Sequence, residues 1–248
     1  ISNGNLDTRV DVHTNEEFTS LSRDINTTVD TLKRYIAEAA ARIDQELEFA
    51  RTIQLSLLPT DFPEQPAFDI FANMQAAREV GGDFYDFYLL NETKLVFLIA
   101  DVSGKGIPAA MFMMRSKTLL KSLIENGLSP ADAFTQANAE LSEHNDACMF
   151  VTAWMGMLDL STGHVDFVNA GHNPPLLVRR DGPGYLKSKA GFVLGAMPGM
   201  KYKTQQLELA PDDVLFLYTD GLTEAMDLKN QLYGQERPLE VLRRFRDM

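Results

Sequence analysis

Apolar side chains in the N-terminal part of the chain recur every three or four residues. The series starts after Asn15-Glu16-Glu17, a segment suited to begin a helix, and no glycine or proline interrupts it before Pro59. This spacing is close to a heptad repeat and predicts one long helix with an apolar stripe. A single helix cannot bury that stripe, so we predict a homodimer through this helix, and packing against the chain's own globular domain is the alternative. The stripe comprises Phe18, Leu21, Ile25, Val29, Leu32, Ile36, Ala39, Ile43, Leu47, Ala50, Ile53 and Leu57.

The pattern changes after Pro59, Pro63 and Pro66, which end the helix. Alternating and fully apolar runs separated by turn residues then predict strands, with two amphipathic helices between them. This order indicates an α+β fold in which helices pack on antiparallel sheets. The predicted strands cover residues 68–74, 83–90, 94–102, 149–160, 165–170, 176–179, 202–209 and 213–218, and the later predicted helices cover 108–126, 130–143 and 238–245.

Three carboxylates stand where an apolar run meets a glycine-containing turn. Asp83 follows two glycines and begins one predicted strand, whereas Asp101 and Asp220 each come at the end of a buried one. A carboxylate in such a place is costly unless a cation meets it, and oxygen ligands suit magnesium or manganese. Three of them at strand ends are typical of a two-metal hydrolase. The alternative is that each aspartate only caps its turn.

Composition limits the classes of binding partner and the redox compartment that fit this chain. The net charge of −12 over 248 residues argues against nucleic acid as a partner, because phosphate backbones require basic surfaces. Cys148 is the only cysteine, so an internal disulfide is impossible and a reducing compartment is favoured. Because Cys148 lies in an apolar run, we expect it to be buried. No stretch reaches the roughly 18 apolar residues of a membrane span, and a chain that starts at Ile1 is predicted to be a fragment of a longer one.

Several segments, in order, resemble the bacterial PPM-type serine/threonine phosphatases of the SpoIIE/RsbU kind. They are residues 80–86 (VGGDFYD), 101–106 (DVSGKG), 169–175 (NAGHNPP) and 218–224 (YTDGLTE), preceded by 51–59 (RTIQLSLLP). The resemblance implies an α-β-β-α sandwich over residues 59–248. It also implies that the domain continues beyond Met248 with a further aspartate pair and a final strand.

The resemblance further implies a site with two divalent cations, Mn²⁺ or Mg²⁺. Asp101 matches the bridging ligand, and the backbone carbonyl of Val102 matches a ligand of the second ion. Asp83 matches an outer, largely water-mediated ligand, and Asp220 matches a ligand of the first ion. All three aspartates are therefore candidate catalytic residues. Arg78 resembles a phosphate-binding arginine, and the alternative is a solvated surface arginine.

Two polar positions near these segments carry different expectations. Ser103 stands where eukaryotic relatives carry a histidine that is a possible proton donor, so the identity of a general acid stays open. His172 lies in a turn rich in glycine and proline, and we expect it to have a structural role.

The N-terminal segment resembles part of a signalling receptor. Residues 1–33 resemble the second half of a HAMP module, and residues 34–58 form a helical coiled-coil linker to the phosphatase domain. HAMP modules usually join a membrane sensor to an output domain, which implies the cytoplasmic portion of an inner-membrane protein. The resemblance suggests a phosphoserine or phosphothreonine on a STAS-type anti-sigma-factor antagonist as the substrate.

Two other functions are compatible with parts of the sequence. Residues 81–84 (GGDF) also resemble the signature of diguanylate cyclases, but a cyclase would not explain the segments around Asp101 and Asp220. A phosphatase fold without catalysis, which binds a partner and transmits a signal, is the second alternative.

Overall fold

The structure, a computed structural model, describes residues 5–12, 14–76 and 79–246. The chain divides into two compact units, with the boundary between Ile53 and Gln54. Helix α1 (Glu16–Ser56) forms most of the first unit, and its last residues belong to the second.

Helix α1 confirms the prediction from the apolar spacing. The amide of Phe18 donates to Asn15 Oδ1 over 2.9 Å, so the helix begins at the predicted cap. The extended segment 5–12 lies along its first half, where Ser22 Oγ donates to the carbonyl of Val10 over 2.7 Å. This contact leaves Ser22 only 6% exposed.

Most of the apolar stripe of α1 is nevertheless exposed in the single chain. Several of its side chains keep more than 40% of their surface accessible, namely Phe18, Leu21, Leu32, Ile36, Ile43 and Ile53. The homodimer through α1 therefore remains a prediction, and it would give this stripe a partner.

The second unit contains two antiparallel sheets. A five-stranded sheet has the order β1-β2-β3-β4-β7, and a three-stranded sheet has the order β6-β5-β8. The strands are β1 (Phe84–Asn91), β2 (Lys94–Val102), β3 (Val151–Asp159), β4 (His164–Ala170), β5 (Leu176–Arg179), β6 (Gly182–Tyr185), β7 (Gln205–Glu208) and β8 (Val214–Phe216). The helices are α2 (Ile107–Glu125), α3 (Pro130–Ser142), α4 (Asp220–Thr223) and α5 (Glu236–Arg246).

The sheets and helices form the layers of the expected sandwich. Helices α2 and α3 bury one face against the five-stranded sheet, with Met113 and Phe134 fully enclosed in that core. The other face of this sheet packs on the three-stranded sheet around Trp154, Phe167 and Leu177. Helix α5 contacts β6. The α+β order predicted from periodicity is thus confirmed, including the hairpin of β1 and β2.

Two strand predictions differ from the structure. Residues 68–74 form no strand, and only an isolated bridge joins Gln65 to Phe68 there. The alternation in that segment leaves Phe71 83% exposed, so it does not mark a buried face. Strand β6 was missed because Gly182-Pro183-Gly184 counts against a strand. β6 lies at a sheet edge, where a missing amide donor is tolerated.

The prediction that Cys148 is buried was wrong. Its thiol is exposed, and its φ of 51° places it in a tight turn before β3. The apolar neighbours that suggested burial belong to the entry of that strand. Among the described helices, none combines the length and apolar character needed to cross a membrane.

Candidate functional site

Strand register brings Asp83 and Asp101 to the same end of the five-stranded sheet. Phe84 of β1 lies opposite Ala100 of β2, so the residue before Phe84 faces the residue after Ala100. On the other side of Asp101, Thr152 of β3 is its register partner. The two aspartates that were separated in the sequence therefore stand side by side on neighbouring strands.

The Asp101 carboxyl is in an environment that opposes negative charge. Burial, first, and then a hydrogen bond with Asp83 and the charges of Asp83, Asp220 and Glu224 raise the pKa of Asp101 to about 8. Like-charged carboxylates close together and partly buried disfavour ionisation. Without a bound cation, the folded protein therefore favours the neutral form of the Asp101 carboxyl.

Asp220 approaches this pair from the start of α4. Thr219, which precedes it, donates from Oγ1 to Asp83 Oδ2 over 2.8 Å and joins the two segments. Burial, together with the charges of Glu224 and Asp83, raises the pKa of Asp220, and the Gly221 amide and Lys105 partly oppose that shift.

The packing around Val102 explains a glycine of the site. A Cβ atom added at Gly82 would lie 2.7 Å from the carbonyl oxygen of Val102, closer than real side chains approach. The backbone before Asp83 thus rests directly against the carbonyl that the sequence singled out.

Carboxylate and carbonyl oxygens of this kind are hard ligands that suit Mg²⁺ or Mn²⁺. Within the part of the chain that the structure describes, however, no three His, Cys, Asp or Glu side chains are arranged to hold a metal ion. The donor chemistry nevertheless fits a divalent cation, and Asp83 and Asp101 are two carboxylates that the structure brings into hydrogen-bond contact.

His172 lies behind the site as a buried structural group. Its Nδ1 is 2.9 Å from Thr152 Oγ1, and its Nε2 is 3.1 Å from the carbonyl of Tyr218. Burial lowers the pKa of His172 to about 4. The ring thereby joins β3 to the segment that leads to Asp220, in agreement with the expected structural role.

The remaining candidates have different outcomes. Arg78 lies outside the described residues. The Ser103 hydroxyl accepts from the amide of Phe150 over 2.9 Å, so it is engaged with backbone.

Sequence reasoning missed Glu224 and Lys105, whose charges act on the aspartates of the site. Both lie inside the quoted segments, and the spacing of Glu224 four residues after Asp220 is a signal that places both on one side of a helical turn.

Comparisons with known proteins agree on one family. The family model described as Stage II sporulation protein E (SpoIIE) matches residues 91–248. Protein IcfG of Synechocystis sp. is 31% identical over 224 residues, covering 79% of this chain and 35% of that protein. Phosphoserine phosphatase RsbU of Bacillus subtilis is 33% identical over 183 residues, covering 73% of this chain and 54% of that protein.

A solved structure shares the fold. The SiaA-PP2C domain of Pseudomonas aeruginosa has a TM-score of 0.68 at 22% identity, covering 84% of each chain. The chain spans about half or less of the length of the curated relatives named above.

Proposed function

The chain belongs to the SpoIIE family of PPM-type (PP2C) phosphatase domains, and on that basis we propose that it is a metal-dependent protein serine/threonine phosphatase. The observation that carries the proposal is the facing pair of Asp83 and Asp101, which share a partly buried site and repel each other when both are ionised. Clustered carboxylates of this kind are costly unless a cation compensates them. The printed name of RsbU, a phosphoserine phosphatase, supports the same reaction class.

We assign the residues of this site as follows. Asp101, the Val102 carbonyl, Asp220 and Asp83 would hold two divalent cations, Mn²⁺ or Mg²⁺, with Asp101 as the principal ligand and Asp83 as an outer one. The ions, when bound, supply positive charge to the phosphoryl oxygens and lower the pKa of water. Arg78 is proposed to bind the phosphate through its planar guanidinium.

The residues of the chain perform three tasks in this reaction. The carboxylates of Asp83, Asp101 and Asp220 would bind the divalent cations at one end of the five-stranded sheet. Thr219 orients Asp83 through its hydrogen bond to Oδ2. Water then displaces the serine or threonine oxygen from phosphorus without a covalent enzyme intermediate, and the leaving oxygen takes a proton from solvent.

Substitution of Asp101 tests the activity. We expect wild-type protein to hydrolyse para-nitrophenyl phosphate with Mn²⁺ or Mg²⁺, and Asp101→Asn to lose at least a hundredfold, because it removes the central ligand charge. The folded state of Asp101→Asn should not be less stable in chelator, since asparagine replaces a carboxyl whose neutral form the folded protein favours when no cation is bound. Asp69→Asn, at an exposed carboxylate, is the matched control. A wild-type protein without metal-dependent hydrolysis would contradict the proposal.

A non-catalytic signalling module is the second candidate. It is favoured by the lack, among the described residues, of three side chains arranged to hold a metal ion. This candidate expects a folded protein that binds a partner but hydrolyses nothing, so the same assay separates the two. Membership of the SpoIIE family removes the diguanylate cyclase alternative, which rested on residues 81–84 alone.

We place this output domain in a HAMP-linked receptor. The HAMP-like pattern of residues 1–33 and the linker at 34–58 support a position on the cytoplasmic side of an inner-membrane protein. The proposed substrate is a phosphoserine or phosphothreonine on a partner protein such as a STAS-type anti-sigma-factor antagonist. The acidic net charge of −12 makes nucleic acid a poor partner.

A further inference from the structure

A buried amide lies at the C-terminal end of α1. Gln54 belongs to the second unit and is only 2% exposed. Its Nε2 donates to the carbonyl of Gly81 over 2.6 Å, and its Oε1 accepts from the amide of Gly81 over 3.1 Å. The side chain thus pairs with one residue's backbone in both directions, as a neighbouring strand would. Buried polar groups are normally hydrogen-bonded, and both the oxygen and the nitrogen of the Gln54 amide are. We therefore regard this pairing as a specific contact.

The residues that follow Gln54 are attached to the second unit at two further points. Leu58 is 6% exposed and belongs to the core under α2 and α3. The Tyr85 hydroxyl donates to the carbonyl of Pro59 over 3.2 Å. The segment after α1 therefore contacts the strand that Asp83 precedes, and Gln54, in the last turn of α1, contacts the loop before that strand.

The loop held by Gln54 has little room to move at its far end. Gly81 is followed by Gly82, whose backbone rests against the Val102 carbonyl, and then by Asp83. Two glycines give this loop no side chains of its own to fix it. Cation binding requires both Asp83 and Asp101 to be ionised, and in that form their electrostatic repulsion favours displacement of Asp83. A contact that fixes Gly81 opposes that displacement.

We infer that Gln54 is a positioning residue that holds Asp83 opposite Asp101 and next to the Val102 carbonyl, and thereby sets the affinity of the site for divalent cation. This inference rests on the proposed function, since it concerns the same ligands. Gln54 touches none of the reacting atoms and acts only through the backbone of Gly81. Residues that orient metal ligands in this way typically contribute 10- to 100-fold to metal affinity.

Binding of Mn²⁺ to the whole chain is the test, measured by calorimetry and by the Mn²⁺-induced rise in melting temperature. Gln54→Met keeps the side-chain volume and removes both hydrogen bonds. We expect it to weaken Mn²⁺ binding about tenfold or more. Raising Mn²⁺ should restore kcat toward wild type with KM for the phosphorylated substrate unchanged. Gln45→Met, at an exposed glutamine of the same helix, is the matched control and should bind Mn²⁺ as wild type does.

The outcomes separate this inference from the proposed function. Equal Mn²⁺ affinity in the Gln54→Met and Gln45→Met proteins overturns the inference and leaves the phosphatase proposal standing. A wild-type protein that binds no Mn²⁺ overturns both. Should Gln54→Met fail to fold, Gln54→Glu is measured by the same criterion, because it keeps the acceptor for the Gly81 amide and loses the donor to its carbonyl.

Discussion

At the scale of single residues, burial and charge shift two kinds of group in opposite directions. Burial and neighbouring negative charge raise the pKa of Asp101, whereas burial lowers the pKa of His172. In both cases the folded protein favours the neutral form. The difference in function follows from the hydrogen-bond partners: Asp101 faces another carboxyl, whereas the His172 ring pairs with the Thr152 hydroxyl and the Tyr218 carbonyl.

Because the pKa of His172 is lowered on folding, we predict that the free energy of unfolding decreases in acid. Its pKa is about 4 in the folded protein and 6.5 ordinarily, so the unfolded chain takes up the proton first as pH falls. The stability from neutral His172 is present above pH 6.5 and is lost as pH falls toward 4, at most about 3 kcal/mol. We expect His172→Gln to flatten this part of the curve of unfolding free energy against pH, measured by urea denaturation.

His164 provides the control of opposite sign. Its hydrogen bond to Glu208, and the nearby Asp166, raise the pKa of this exposed histidine. Its contribution is therefore present below its ordinary pKa and is lost as pH rises through the raised value. His164→Gln should change the curve in the opposite sense to His172→Gln. Identical changes in the two variants would contradict the assignment of the acid window to His172.

At the scale of elements, α1 has a hydrogen-bonded N-cap, but most of its apolar stripe is exposed. Intrinsic helix propensity rarely stabilises an isolated helix, and packing of an apolar face usually decides it. The first half of α1 has a partner in segment 5–12 of its own chain, through contacts such as the 2.6 Å ion pair of Arg9 and Asp30. Farther along, Ile43 remains 57% exposed. A second copy of the helix is the partner that the repeat predicts.

Ile43→Asp is expected to weaken self-association about tenfold or more, because burial of an isoleucine is worth roughly 1.5–3 kcal/mol and is lost in both copies. Sedimentation or light scattering measures this change, and metal-dependent activity should fall with it if α1 couples pairing to the site. Ala41→Asp adds the same charge away from the stripe and serves as the control. If Ile43→Asp lost the dimer and kept wild-type activity, coupling between helix pairing and the metal site would be rejected.

At the scale of the whole molecule, the second unit has two cores that share one sheet. One lies under α2 and α3, and the other lies between the sheets around Trp154. The Trp154 ring stacks on Phe167 with centroids 5.2 Å apart and is fully enclosed. Since Asp83 directly precedes β1 and Asp101 belongs to β2, the shared sheet supports the geometry of the site from both faces.

Trp154→Ala should therefore destabilise the second unit strongly. Removal of a buried tryptophan typically costs about 3–5 kcal/mol of unfolding free energy. Urea denaturation followed by circular dichroism measures the change. Leu228→Ala, at a fully exposed side chain, should stay within about 0.5 kcal/mol of wild type. A similar cost in both variants would show that the core between the sheets contributes little.

Several features follow from the sequence without any tertiary information. The three- and four-residue spacing specifies α1, because a helix presents such positions on one face. The alternation and turn residues specify the β1–β2 hairpin for the same kind of local reason. The candidate aspartates could be found because each combines an apolar run with a tight turn, and their order carries the resemblance to the family.

Other features depend on contacts between residues far apart in the chain. Residues 68–74 alternate but find no sheet edge, and Cys148 has apolar neighbours but lies in a turn. In the sequence, Gln54 is a polar residue of a helix, which by itself does not indicate burial. The structure buries it through its hydrogen bonds with Gly81. The sequence by itself determines helix and strand periods and the chemistry at their ends. Tertiary structure decides burial and the pairing of Asp83 with Asp101, because both depend on which distant segments meet.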